Sequence, residues 1–127
     1  HGNRTILSDG PPGVGCPVIS AVTGLDLLLI VTEPTVSGAH DLQRVLRLCG
    51  HFGVPAKVII NKADLNPDQC SKIEALAERS GAPCIGHIPF DPGVQDALMQ
   101  GVPVVELAEG PAVRQIRAVW TLLLAEL

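Results

Sequence analysis

The chain has 127 residues, 46% of them hydrophobic, which is enough for one core and too little for two ordinary domains. Nine basic and 13 acidic residues give a net charge of −4, which argues against binding nucleic acid or anionic lipid through bulk positive charge. The longest apolar run, Leu27 to Val31, is far shorter than the roughly 20 residues of a membrane span. We therefore expect one cytoplasmic globular unit over residues 1–127, with no membrane span and no nucleic-acid partner.

Short β-branched apolar runs alternate with longer stretches of helical periodicity, a pattern typical of βα units around a parallel sheet. The predicted fold class is therefore α/β, a parallel sheet with flanking helices. The predicted strands are residues 4–9, 26–32, 56–61 and 83–88. The second strand is apolar without alternation, as in a strand covered on both faces, and we predict that it is central in the sheet.

The helices between these strands have recognisable ends. Apolar residues recur from Leu42 to Cys49 with helical spacing, and Gly53 is predicted to end that helix. In the next helix Asn66 is the predicted N-cap and Pro67 the first residue, and Gly81 marks its end.

Two further helices are predicted towards the C-terminus. A short helix begins at Asp91-Pro92 and ends near Gly101, and residues 102–107 are predicted to form a brief extended segment. The last helix begins after Gly110-Pro111. Its apolar positions form a stripe that should dock on the sheet or on a partner, and they are Val113, Ile116, Trp120, Leu123, Leu124 and Leu127.

The first predicted strand ends in Asp9-Gly-Pro-Pro-Gly13. A carboxylate at the carboxyl end of a parallel strand is well placed to hold Mg²⁺, often through the water ligands of the ion. The glycine four residues later allows its backbone N–H to approach a terminal phosphate. By itself the segment is also compatible with a simple turn.

The third predicted strand ends in Asn61-Lys62-Ala-Asp64. An asparagine amide offers a donor and an acceptor to the edge of a purine, and a lysine stem can lie along the plane of the base. Asp64 can accept the two N–H donors that guanine presents. Alternatively, Asn61 and Asp64 form a side-chain-bonded turn that leads to the Asn66 cap.

The four cysteines lie far apart in the sequence and include no Cys-x-x-Cys pair. Neither a zinc site nor an iron–sulfur site is therefore indicated by local spacing. We interpret Cys16, Cys49, Cys70 and Cys84 as free thiols in the core.

Four blocks in this order resemble the MinD-superfamily ATPases that carry an inserted ferredoxin domain, which are related to the nucleotide-binding domains of cobyrinic acid a,c-diamide synthases. The blocks are Asp9-Gly-Pro-Pro-Gly-Val-Gly-Cys-Pro17, Ile30-Val-Thr-Glu-Pro-Thr-Val-Ser-Gly38 with His40-Asp-Leu42, Ile60-Asn-Lys-Ala-Asp64 and Ile88-Pro-Phe-Asp91. The match covers residues 5–107, and it implies a partial P-loop nucleotide-hydrolase fold with three Rossmann-like layers.

The resemblance implies a role for individual positions. Asp9 matches the magnesium-coordinating residue, and Gly13 matches the glycine whose N–H meets the γ-phosphate. Asn61 matches the residue that hydrogen-bonds the purine, with Lys62 and Asp64 beside it. The segment from Pro89 to Asp91 matches the loop that borders adenine and ribose. The implied cofactors are ATP and Mg²⁺.

The chain also departs from the family pattern. It contains no Gly-x-x-x-x-Gly-Lys-Ser/Thr loop and no run of four cysteines, both of which lie upstream in the family. We therefore expect a C-terminal part of a longer protein, with 4Fe-4S clusters only in the upstream part. Catalysis by these 127 residues alone is not expected, because the main phosphate-holding loop is missing.

Three functions remain open from the sequence. The first is an ATP-dependent switch whose complete form is linked to iron–sulfur or redox chemistry and to a redox or iron–sulfur partner protein. The second is a GTPase that reads guanine through Asn-Lys-x-Asp, and the third is a partner-binding module without turnover. For these 127 residues we expect a homodimer or another form of self-association, with the strand at residues 4–9 or the last helix through Trp120 and Leu124 in the interface. The alternative is direct pairing of the strand at residues 4–9 with the strand at Leu27–Val31.

Overall fold

The computed structural model describes residues 5–10, 22–107 and 109–127. In this part of the chain three parallel strands form one sheet in the order β1-β2-β3. The strands are β1 (Leu28–Thr32), β2 (Ala56–Asn61) and β3 (Cys84–Ile88). The predicted α/β class is confirmed, and so are the last three of the four predicted strands.

Five helices follow or flank the strands in the described part. They are α1 (Val36–Phe52), α2 (Pro67–Arg79), α3 (Pro92–Gln100), α4 (Val104–Leu107) and α5 (Pro111–Glu126), and a 3₁₀ turn occupies Ala63–Leu65. The predicted end of α1 is confirmed, because Gly53 takes the left-handed conformation with φ of 67°. The predicted start of α2 is confirmed as well, because the Asn66 side chain accepts the Gln69 N–H at 3.2 Å.

The sheet separates two apolar layers. On one face, α1 and α2 pack against β2, and the buried contacts include Leu42, Ile73, Val58 and Ile60. On the other face, α5 places Val119 and Leu123 against Ile59, the β2 residue between Val58 and Ile60. Helices on both faces of a parallel sheet give the three-layer arrangement of α/β folds.

A β-bulge in β3 changes which side chains share a face. Val58 pairs with Cys84, but the next residue of β2, Ile59, pairs with Gly86, so Ile85 is an extra residue. Cys84 packs with the core under α1 and α2, whereas Ile85 and Ile88 pack with the α5 layer. Because of the extra residue, Cys84 and His87 lie on the same face although they are three positions apart.

The prediction of a strand at residues 4–9 is wrong for the part that is described. Residues 5–10 carry no strand and are exposed, with Ile6 and Leu7 at 87% and 80% exposure. A strand is held by hydrogen bonds to a neighbouring strand, and β1 has only β2 as its neighbour within the described residues. An apolar run without such a neighbour does not become a strand.

The prediction that the apolar strand at Leu27–Val31 is central is also wrong for the described sheet, where β2 is central and β1 lies at the edge. Leu28 and Ile30 pack towards α1 and α2, and Leu29 packs towards α5. Cover on both faces therefore explains the apolar run. It does not determine how many strands lie beside it.

Two predictions near the C-terminus need correction. Residues 102–107 are not extended, because the Pro103 carbonyl accepts the N–H groups of Glu106 and Leu107 and starts the short helix α4. In α5, Val113 and Leu123 are buried as predicted, but the outer residues of the predicted stripe are 43–60% exposed, namely Trp120, Leu124 and Leu127. The helix is rotated so that Val119 faces the sheet over Gly86, where there is no side chain.

No helix in the described ranges is both long and apolar enough to cross a bilayer.

Candidate functional site

The loops that carry the predicted site residues lie along one edge of the sheet. Thr32 is level with Ile60 in the register, and Asn61 is level with Ile88, so all three strands end at the same edge. In open parallel sheets this carboxyl edge is where ligands bind. The structure therefore brings together the predicted residues of two loops, which are Asn61, Lys62, Asp64, Pro89 and Asp91.

Asn61 stabilises an unusual backbone conformation directly after β2. Its Oδ1 accepts the N–H of Lys62 at 3.0 Å, and Lys62 has φ of 53°, the one positive φ at a non-glycine residue in the described part of the chain. Such a conformation is costly for a residue with a Cβ and is found mostly at functional sites. The side-chain NH₂ of Asn61 has no hydrogen-bond partner within the described residues, so a donor remains available at the sheet edge.

Lys62 also connects the loops that follow β1 and β2. Its Nζ lies 3.3 Å from Oε1 of Glu33, and both side chains are about half exposed, at 42% and 50%. An ion pair at this exposure contributes only about 0–1 kcal/mol, so its main effect is to orient the lysine stem. The sequence assigned no role to Glu33, although its place directly after a strand was the signal for one.

Asp64 connects the loops that follow β2 and β3. Its Oδ1 accepts the N–H of Phe90 at 2.8 Å. The contact fixes the loop from Pro89 to Asp91 beside the end of β2. One of the two carboxylate oxygens of Asp64 is therefore engaged within the protein.

Asp91 holds the starts of two helices. Its Oδ1 accepts the N–H of Gly93 at 2.9 Å and caps α3, and its Oδ2 accepts the N–H of Ala112 at 3.3 Å in the first turn of α5. A Cβ at Gly110 would lie 2.8 Å from Oδ2, so a side chain at this position would displace the Asp91 carboxylate from its place. Both oxygens of Asp91 serve the fold, and the side chain is part of the frame of the loop.

An open pocket of about 550 Å³ lies beside this frame, between the 3₁₀ turn, α2, the end of β3 and the start of α5. Asp64 and Pro89 line it, together with Arg114 and Gln115 from the first turn of α5. Arg114 makes no ion pair within the described residues, so it supplies positive charge to the pocket. No role was predicted for Arg114 from the sequence, although its position shortly after Gly110-Pro111, at the start of a predicted helix, was a signal for one.

Of the two predicted phosphate-site residues, only Asp9 is among the described residues. Asp9 is exposed and makes no hydrogen bond or ion pair within the described part of the chain. Gly13 lies outside the described residues. Within the described residues no contact connects Asp9 to the loops after β1, β2 and β3.

The donor set at the edge fits a purine. The Asn61 NH₂ is free to donate to a ring nitrogen of the base, because Oδ1 of the same amide accepts the Lys62 N–H, and the oriented Lys62 stem offers a surface for the ring. For Mg²⁺ the available group is the Asp9 carboxylate, which is a hard oxygen ligand with no partner among the described residues.

The cysteines in the described part are free, as predicted. Cys49 is buried, and Cys70 and Cys84 are partly buried. Burial raises the pKa of each of these thiols above its usual range. Cys16 lies outside the described residues.

Comparison with solved structures gives a close match in fold. The MinD cell division protein of Aquifex aeolicus superposes with a TM-score of 0.76 and 28% sequence identity, over 91% of this chain and 51% of that one.

Sequence comparison also finds relatives named as MinD, together with iron–sulfur cluster carriers. The chain is 30% identical over 106 residues to a putative septum site-determining protein MinD of Mesostigma viride, which covers 79% of this chain and 36% of the relative. It is 30% identical over 121 residues to an iron-sulfur cluster carrier protein of Pyrococcus abyssi, covering 86% of this chain and 41% of the relative. The chain thus spans about two fifths of these curated relatives and about half of the solved structure. No protein-family model matches it.

Proposed function

Because the chain belongs to the MinD/ParA superfamily of P-loop ATPases, we propose that it carries the base-reading edge of a MinD-like ATPase that acts as an ATP-dependent switch. The observation that carries the proposal is the pair Asn61 and Lys62. Asn61 uses its Oδ1 to hold Lys62 in a left-handed conformation and keeps its NH₂ free at the carboxyl edge of the sheet. In this proposal the NH₂ donates to the purine, and the stem of Lys62 lies along the ring.

The contact of Asp64 favours adenine over guanine. Guanine recognition by an aspartate uses both carboxylate oxygens for the N1 and N2 donors. Oδ1 of Asp64 already accepts the Phe90 N–H at 2.8 Å, so this oxygen is shared with the backbone and its orientation is set by the loop. Pro89 and Asp91 act through the same loop, which borders the base and the ribose, with Asp91 as its frame.

Asp9 and Gly13 are the proposed phosphate-side residues. The Asp9 carboxylate holds Mg²⁺ through its water ligands, and the Gly13 N–H meets the γ-phosphate. When bound, Mg²⁺ supplies charge neutralisation at the phosphates. Turnover belongs to the complete protein, since these 127 residues include no Gly-x-x-x-x-Gly-Lys-Ser/Thr loop.

The proposed role of the switch is in iron–sulfur or redox chemistry with a partner protein. The support is a relative named as an iron-sulfur cluster carrier. The proposed 4Fe-4S ligands are not among these residues, because the chain has no clustered cysteine run.

Self-association is proposed through apolar surface that the described fold leaves exposed. Val31 at the β1 edge is 59% exposed, and Trp120 and Leu124 on the outer side of α5 are 43% and 47% exposed. An edge strand and an exposed apolar stripe are typical contact surfaces between identical chains. Sedimentation equilibrium tests this, and a monomer across the micromolar range would contradict it.

The nucleotide proposal is tested by calorimetric titration of the complete protein with non-hydrolysable ATP and GTP analogues in Mg²⁺. Tighter binding of the ATP analogue supports the proposal, and tighter binding of the GTP analogue identifies a GTPase instead. A hydrolysis assay of Asp9→Ala at saturating Mg²⁺ tests the metal role. Loss of turnover is expected, and turnover within about threefold of the unaltered protein would remove Asp9 from the magnesium site. If the unaltered protein shows no hydrolysis with Mg²⁺ and partner proteins, it is a binding module without turnover.

A further inference from the structure

Four side chains with metal-binding chemistry converge between α2 and β3. Cys70 and Glu74 are four residues apart on α2, so they point the same way from successive turns. Cys84 and His87 are three residues apart on β3, a spacing that normally places side chains on opposite faces. The bulge at Ile85 turns both of them towards α2.

Three of these groups lie mutually close enough for a shared metal ion, and the fourth, Cys84, is placed beside them by its contact with His87. The Cys70 thiol, a Glu74 carboxylate oxygen and a ring nitrogen of His87 all lie within 4.8 Å of one another. Cys84 Sγ lies 3.8 Å from His87 Nε2, and Oε1 of Glu74 contacts the same Nε2 directly. Zinc–ligand bonds of 2.0–2.3 Å in a tetrahedron place neighbouring ligand atoms about 3.3–3.8 Å apart.

We propose that Cys70, Glu74, Cys84 and His87 form a binding site for a divalent transition-metal ion of the zinc class. Two thiolates, an imidazole and a carboxylate make a ligand set that favours Zn²⁺ and similar ions over Mg²⁺ and Ca²⁺, which prefer oxygen ligands alone. Each thiol gives up its proton to solvent when it ligates the ion. Cys70 and His87 line the same open pocket as Asp64 and Pro89, but none of the four ligands is among the residues proposed to read the base, so the inference does not depend on the proposed function.

The surroundings of the site support this assignment. Cys70 and His87 line the open pocket, and the His87 side chain is 47% exposed, so an ion has a path to the site.

The competing explanation is an ion pair between Glu74 and His87 with two uninvolved thiols nearby. It accounts for the contact between Glu74 and His87. It does not explain why two thiols, Cys70 on α2 and Cys84 on the bulged strand β3, lie beside this ion pair. The two explanations differ in what happens to the sulfur atoms when a metal is added.

The test uses the reduced, metal-free complete chain. On addition of Co²⁺ we expect visible d–d absorption of tetrahedral intensity and a thiolate-to-cobalt charge-transfer band in the near ultraviolet. Zn²⁺ should displace Co²⁺ and abolish both features. A cobalt spectrum of octahedral intensity without a charge-transfer band would overturn the proposal.

The ligand variants are Cys70→Ser, Cys84→Ser and His87→Gln, with Zn²⁺ affinity measured by competition with a chromophoric chelator. Each should weaken binding by roughly 100-fold or more, because even the loss of an outer-shell partner costs about 10–100-fold. The matched controls are Cys49→Ala, a thiol of the core, and His40→Gln, an exposed histidine of α1, and both should keep the affinity of the unaltered chain. Ligand variants that bind as tightly as these controls would overturn the site. If circular dichroism shows a variant to be unfolded, the cobalt spectrum of the unaltered chain decides.

Discussion

Replacement of Asn61 separates its two roles, because the side chain holds the backbone with its oxygen and leaves its nitrogen free. Asn61→Ala removes both, namely the 3.0 Å hydrogen bond to the Lys62 N–H and the donor proposed for the base. Asn61→Asp keeps an acceptor for Lys62 but has no N–H to donate. The loss of one hydrogen bond to a base whose partner atom is left unpaired costs about 1–3 kcal/mol, or roughly 5- to 150-fold in Kd.

The assay is calorimetric titration of the complete protein with an ATP analogue, with urea unfolding as the measure of stability. We expect Asn61→Asp to lose nucleotide affinity in this range while its free energy of unfolding stays close to that of the unaltered protein. Asn61→Ala should lose affinity and stability together. Asp64→Asn should lose less affinity than either variant, since adenine lacks the two donors of guanine. Asn61→Asp with a Kd within about twofold of the unaltered protein would refute the donor role and leave Asn61 as a turn residue.

Three further predictions concern the stability of the fold. Gly86→Ala should lower the free energy of unfolding by about 1–3 kcal/mol, because the new Cβ would lie 2.4 Å from Cγ2 of Val119. The loss should be smaller in a Val119→Ala background, and the control Gly50→Ala should show no such loss, since its Cβ meets nothing within 4 Å. An equal loss for Gly86→Ala in both backgrounds would contradict the clash. Asp91→Ala should lower the free energy of unfolding in urea by about 1–2 kcal/mol, because the N–H groups of Gly93 and Ala112 lose their acceptor. An unchanged free energy of unfolding would mean that water replaces the carboxylate. Burial raises the pKa of the Cys49 thiol above 9.0, so this thiol ionises at lower pH in the unfolded chain than in the folded one. The free energy of unfolding should therefore be retained below about pH 9 and fall above it. In urea unfolding with a chelator present, Cys49→Ala should show a shallower fall with pH, and an equal fall would remove this thiol as a cause.

The sequence by itself determined the local structure of much of the chain. The ends of α1 and α2 follow from Gly53 and Asn66, whose backbone and capping preferences act within a few residues. β2 was predicted at its observed boundaries, since an apolar β-branched run between two turn signals is a local pattern. The loops with Asn61, Lys62, Asp64, Pro89 and Asp91 were identified as candidates because each follows a predicted strand, and ligands bind at the carboxyl ends of the strands in open parallel sheets.

Tertiary structure decided what depends on neighbours far away in the chain. Residues 5–10 are apolar enough for a strand, but a strand also needs a paired neighbour, and sequence patterns do not count neighbours. The face that α5 presents to the sheet was set by Val119 over Gly86, a contact between two elements.

The cysteines show the same limit most clearly. Their sequence spacing indicated no metal site, because Cys70 and Cys84 are fourteen positions apart and each belongs to a different element. One extra residue in β3 turns Cys84 and His87 to the same face, and the packing of α2 brings Cys70 and Glu74 against them. A bulge depends on how two strands pair, so only the folded sheet determines which side chains meet at this position.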